Sequence, residues 1–195
     1  VDVQVGSIIS IYLKIKNDLV RSDSNAASSD ASLFAGKTSG FDRSYLSLSQ
    51  KTIYDEQFSQ VASRMQAISV SKNIAQQRSL FAALTKHVYE FAKAFGFTQT
   101  LYASRCPMAM NGKGAMWLSS DPEIQNPYYG DAMLTCGKLI EEMQMVINQM
   151  QKAIQEMNPN YQAHLFEVDE TTKLAKPAAP DFTVSSTHPS QVERY

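Results

Sequence analysis

Apolar side chains recurring at helical spacing constrain this chain more than any other feature. Ile74, Leu80, Phe81, Leu84, Val88, Phe91 and Phe95 share one side of a repeat of about 3.6 residues. Gly96 follows them, and glycine is the residue best suited to close a helix in a left-handed cap. The pattern predicts a helix over about 73–95. Ile53, Phe58, Val61, Met65 and Ile68 predict another over about 49–70, broken by Ser71-Lys72-Asn73. Val3, Ile8, Ile11, Tyr12, Ile15 and Leu19 predict a first helix over about 3–22. Ser22-Asp23-Ser24-Asn25 then stops and restarts the chain, because all four residues favour caps and turns. A short helix over about 25–37, anchored by Leu33 and Phe34, completes the set. Connections this short make successive helices antiparallel neighbours.

The regular pattern gives way at Phe97. Residues 97–104 alternate loosely and suggest a short extended run leading to Cys106. The segment from Cys106 to Gly137 contains both cysteines, the single tryptophan, and four of the nine methionines. Pro107, Gly112, Gly114, Pro122, Pro127 and Gly130 punctuate it, so it reads mainly as loop and turn. Leu139, Ile140, Met143, Val146, Ile147, Met150 and Ile154 then suggest a long last helix over about 131–157, stopped by Asn158-Pro159. Within it Met143, Met150 and Met157 lie at a seven-residue step that suits helix packing.

Composition removes several classes of function. The chain has 195 residues and a net charge of −1. Its cations and anions are interleaved, which disfavours nucleic acid, since phosphate binding needs a concentrated basic face. No apolar run approaches the roughly 20 residues that span a bilayer. The chain begins at Val1, which suggests a trimmed product, so the lack of a signal peptide says nothing about compartment.

Chemistry concentrates in sulfur. Thiolate and thioether are soft donors that select Cu(I) over harder ions. Cys106, Met108, Met110, Met116, Met133 and Cys136 place six such donors in one short stretch. Three readings of the cysteines stay open. They form a disulfide, which across about 30 residues would stabilise the fold by roughly 3–4 kcal/mol; they hold a soft metal; or they are buried free thiols. The methionines have an ordinary alternative as adaptable core filler.

Other chemistry has less behind it. His87 lies on a helix beside Leu84, Val88 and Phe91, where a lone histidine is more often structural than a ligand. His164 and His188 fall in or near the tail. No Gly-x-Ser-x-Gly elbow or phosphate loop is present. Glu141 and Glu142 are adjacent and read as a solvated face. Trp117, Tyr128 and Tyr129 read as loop packing. The expectation is a protein that is not an enzyme.

Three blocks carry a family resemblance. They are Cys106-Pro107-Met108-Ala109; Gly114-x-x-Trp117-Leu118-Ser119-Ser120; and Ile124-x-Asn126-Pro127-Tyr128-Tyr129-Gly130-x-x-Met133-Leu134-x-Cys136-Gly137. Together they resemble the uncharacterised BlhA-like exported bacterial domain family, which is associated with copper and heavy-metal efflux adaptor proteins. The resemblance covers about residues 100–140 directly. It implies a periplasmic or exported, cell-envelope-associated protein, with a lipid anchor, if any, outside this chain. It also implies copper or a related soft metal as cargo and an efflux adaptor or other periplasmic protein as partner. Cys106, Met108, Met133 and Cys136 match the family pattern; Met110 and Met116 lie outside it.

The expected fold is all-α: an antiparallel up-and-down bundle of four to five helices, with a long Cys/Met/Gly/Pro-rich loop before the last helix. The bundle domain spans residues 1–160 and includes the Cys/Met loop over 104–137; residues 161–195 form an extended or partly disordered tail. The expected function is a periplasmic module that binds a soft metal, with Cys106, Met108, Met133 and Cys136 as ligands and Met110, Met116 and His87 behind them. The alternative is a structural or protein-interaction helical domain with a Cys106–Cys136 disulfide and no metal.

Overall fold

The computed structural model describes residues 2–40, 43–44, 46–97, 99–143, 166–169 and 174–177. The chain divides into two compact units, Val1–Met150 and Gln151–Tyr195.

The helices of the first unit lie close to where the periodicity puts them. They are α1 (Asp2–Val20), α2 (Ser24–Ser32), the five-residue α3 (Phe34–Thr38), α4 (Leu48–Val70) and α5 (Ile74–Phe95). Several boundaries have a local cause. Asp23 accepts from the backbone N–H of Asn25 and Ala26 and so starts α2. Ser47 and Gln50 form a reciprocal capping box at α4. Asn73 accepts from Gln76 N–H at α5, and Gly96, at φ 80°, ends it by donating to the Ala92 carbonyl. Ile8, Tyr12, Ile15 and Leu19 of α1 bury together with Val61, Met65 and Ile68 of α4 and Phe81, Leu84, Val88 and Phe91 of α5. Helix α5 packs on both α4 and α1.

A sheet replaces the expected long loop and corrects the all-α assignment. Strands β1 (Leu101–Cys106), β2 (Ala115–Ser119) and β3 (Lys138–Met143) form an antiparallel sheet in the order β2-β1-β3. The extended run leading to Cys106 is therefore a central strand. Trp117 and Leu118 of β2 are fully buried, and β2 packs on α5 and α1. Phe81 of α5 meets Tyr128, ring centroids 6.2 Å apart. Tyr12 ties the layers together: its hydroxyl hydrogen-bonds Thr85 Oγ1 at 2.8 Å and accepts from Leu118 N–H at 3.0 Å.

The last expected helix is also corrected over its first half. Gly130–Met133 is a single 3-10 turn, and 138–143 is strand β3. Leu139 and Ile140, which gave the segment its helical look, are exposed on this edge strand, while Met143 is buried opposite Leu101. The backbone of β1 requires a second partner, and that pairing outweighs the local apolar spacing. Residues 144–157, including Met150 and Met157, lie outside the described residues.

In the second unit β4 (Phe166–Asp169) and β5 (Leu174–Pro177) pair antiparallel, with Phe166 opposite Pro177 and Asp169 opposite Leu174. His164 and His188 lie outside the described residues. No described helix is long and apolar enough to cross a membrane.

Candidate thiol site

Cys106 is the last residue of β1, and its side chain is buried. A tight turn follows. Gly112 N–H donates to the Met108 carbonyl at 3.1 Å, and Gly114 N–H to the Ala109 carbonyl at 2.8 Å. Met110, Asn111, Gly112 and Gly114 all take positive φ, so the chain reverses within a few residues before β2. A Cβ at Gly114 would also meet the Arg105 guanidinium at 2.2 Å, so that side chain would have to swing aside. That guanidinium donates to the Lys113 carbonyl at 2.9 Å.

Cys136 arrives from the other side, half-buried, just before β3. Arg105 pairs with Lys138 across the β1–β3 ladder, which brings the start of β3 to the end of β1. The two sulfurs lie 3.1 Å apart and are not bonded.

Asn126 holds this meeting in place. Fully buried, it donates from Nδ2 to the Cys136 carbonyl at 2.8 Å and accepts on Oδ1 from Tyr128 N–H at 2.8 Å. Its own N–H donates to the Leu134 carbonyl at 2.8 Å, and its carbonyl accepts from Gly130 N–H at 3.2 Å. Below it, Tyr128 crosses Trp117 edge-on, centroids 6.1 Å apart, and bonds the Met116 carbonyl. Gly137 lies flat against Trp117 because a Cβ there would come within 2.6 Å of the ring.

The two thiols are chemically unequal. Burial pushes the Cys106 thiol up, but hydrogen bonds from Cys136, Met108 N–H, Asn126 and Ala109 N–H outweigh it and bring the thiol below its ordinary range. Cys136 is pushed up, first by its hydrogen bond to Cys106 and then by burial.

Among the other sulfurs, Met108 and Met133 flank the pair in the chain, with 52% and 41% of their surfaces exposed. Met110 and Met116 are partly buried against the core. His87 lies on α5, and its Nδ1 pairs with Gln57 Oε1 on α4 at 2.9 Å. Burial lowers its affinity for a proton. No group of three or more His, Cys, Asp or Glu side chains suited to a metal occurs among the described residues. The acids and imidazoles of a hard-ion or four-ligand zinc site are thus not gathered among those residues. Sequence reasoning passed over Asn126 as a working residue. The available signal was Asn-Pro-Tyr inside a loop, since asparagine before such a turn commonly caps its own backbone.

A family model described as a protein of unknown function (DUF3347) matches residues 8–100. It covers most of α1 and all of α2–α5, and ends before β1, so both cysteines lie beyond it. The helical part of this chain is thus similar to an uncharacterised domain. No curated protein and no solved structure matches the chain.

Proposed function

We propose that this protein is a binding module, not an enzyme, for a soft, thiophilic cation of the Cu(I) type, held by Cys106 and Cys136. The 3.1 Å approach of two cysteine sulfurs carries this reading. Soft ions of this kind take thiolate pairs, and Cu(I) accepts low coordination where Zn(II) demands four ligands. Metal–sulfur bonds of about 2.3 Å need sulfurs roughly 3.5–4.5 Å apart, so the pair opens by about 1 Å to admit the ion. Cys136, half-buried beside the 3-10 turn, is the side that moves. Met108 and Met133 are the chain's nearest thioethers in sequence on either side and supply a third donor. The resemblance of the Cys106–Gly137 segment supports an exported, cell-envelope location and an efflux adaptor or similar periplasmic protein as recipient.

Titration of the reduced protein with Cu(I) against a chromophoric chelator tests the reading. Retention of the ion by the native chain, and its loss on Cys106→Ser or Cys136→Ser, is the expected result. Unchanged retention in both variants refutes it. The same short distance favours a second reading, a permanent structural disulfide. Counting thiols in denaturant without reductant separates the two, because two titratable thiols exclude a permanent bond.

A further inference from the structure

We propose that Cys106 and Cys136 form a reversible thiol–disulfide couple with fixed roles, Cys136 exchanging with outside partners and Cys106 resolving. The proposal uses the same two sulfurs as the soft-ion reading and stands whether or not an ion binds.

Three observations carry it. First, the sulfurs are 3.1 Å apart, and a disulfide needs about 2 Å, so closure is a movement of about 1 Å. The ends of β1 and β3 are already paired through Arg105 and Lys138, which holds the two cysteines at neighbouring strand ends. Second, access is one-sided. Cys106 is buried while Cys136 is half-buried, so an incoming reagent meets Cys136. Third, the buried Asn126 side chain donates to the Cys136 carbonyl at 2.8 Å and so holds the half-buried partner beside Cys106.

The steps balance with a low-molecular-weight disulfide, RSSR, as oxidant. The Cys136 thiolate attacks one sulfur of RSSR; that S–S bond breaks and RS⁻ leaves, taking up the proton lost by Cys136. The Cys106 thiolate then attacks the Cys136 sulfur of the mixed disulfide and displaces the second RS⁻, which takes up the proton lost by Cys106. The protein loses two electrons and two protons, and RSSR becomes two RSH. In the reverse direction an outside thiolate attacks Cys136, and Cys106 departs as a thiolate.

Incubation of the full chain in mixtures of reduced and oxidised glutathione, with acid quenching and mass spectrometry, is the test. Native protein should lose two hydrogens and retain no glutathione. Cys106→Ser should accumulate a stable glutathione adduct at Cys136. Cys136→Ser should acquire one at Cys106 at least about tenfold more slowly, as buried thiols react. Equal capture by both variants, or native protein that stays reduced in oxidising mixtures, overturns the proposal. A measurement on unmutated protein guards against misfolded variants: brief alkylation followed by peptide mapping should label Cys136 before Cys106, and the opposite order overturns the assignment. Failure of Cu(I) retention with intact glutathione exchange removes only the soft-ion reading.

Discussion

The Asn126 side chain donates to the Cys136 carbonyl at 2.8 Å and, through its other end, accepts from Tyr128 N–H at the same distance. One buried amide therefore fixes both the loop that carries Cys136 and the aromatic floor beneath it. Asn126→Asp keeps the acceptor and removes the donor. It should cost roughly 1–3 kcal/mol of stability, and disulfide closure should slow because Cys136 is no longer held. Denaturant midpoints and the rate of thiol loss in oxidised glutathione read the two effects. Unchanged closure would show that Asn126 does not position the pair.

Tyr12 makes a similar link between layers. Tyr12→Phe keeps the ring stacked on Phe81, centroids 4.8 Å apart, but strands the N–H of Leu118 in the core. Thr85 retains its bond to the Phe81 carbonyl and is not orphaned. The expected loss is about 1–3 kcal/mol, from the unsatisfied N–H alone. Urea unfolding followed by Trp117 fluorescence measures it, since Trp117 is the neighbour of Leu118 in β2.

Gly137 should tolerate no side chain. In Gly137→Ala the new methyl would enter the Trp117 ring space, and the backbone stands at φ 154°. Overpacking of this kind costs about 1–3 kcal/mol. A drop in thermal midpoint with a shifted Trp117 emission is expected, whereas Gly112→Ala, where a Cβ meets nothing, should show only its backbone strain.

Asp18 predicts a pH dependence unrelated to the thiols. Burial, then the neighbouring Asp30, push its carboxyl from 3.8 up to about 6, with Arg21 opposing. The folded state therefore holds a proton there that the unfolded state has released. The stabilising effect of that proton is complete below about pH 4 and disappears as pH rises through about 6. Asp18→Asn should flatten this part of the stability profile and raise stability at neutral pH. An unaltered slope between pH 4 and 6, measured by denaturant melts, would count against the assignment.

The helices were legible from their apolar spacing and, at Asp23, Asn73 and Gly96, from chemical boundaries that act on the residues beside them. The capping box of Ser47 and Gln50 went unread, and α3 starts without a side-chain cap. The sheet was harder to read. Strand β3 owes its form to β1, more than 30 residues earlier in the chain, and its exposed Leu139 and Ile140 imitate one face of a helix. Strand β2 is short and nearly all buried, so it lacks the alternation that marks a half-solvated strand. The cysteines were visible as candidates, but their meeting depends on that same long-range pairing. Asn126 was passed over although its four partners, Tyr128, Gly130, Leu134 and Cys136, lie within ten residues: its bonds close a loop that has no repeating pattern to mark it.

The Tyr12–Leu118 hydrogen bond bears on where this domain can be cut. The stretch similar to the uncharacterised family stops at residue 100, yet the hydroxyl of α1 needs an amide from β2, and Phe81 needs Tyr128 beside it. A fragment ending at 100 would bare the inner sides of α1 and α5 to water. The helices and the thiol-bearing sheet thus share one core, and a change of sulfur chemistry at the rim of the sheet is expected to shift the thermal midpoint of the first unit.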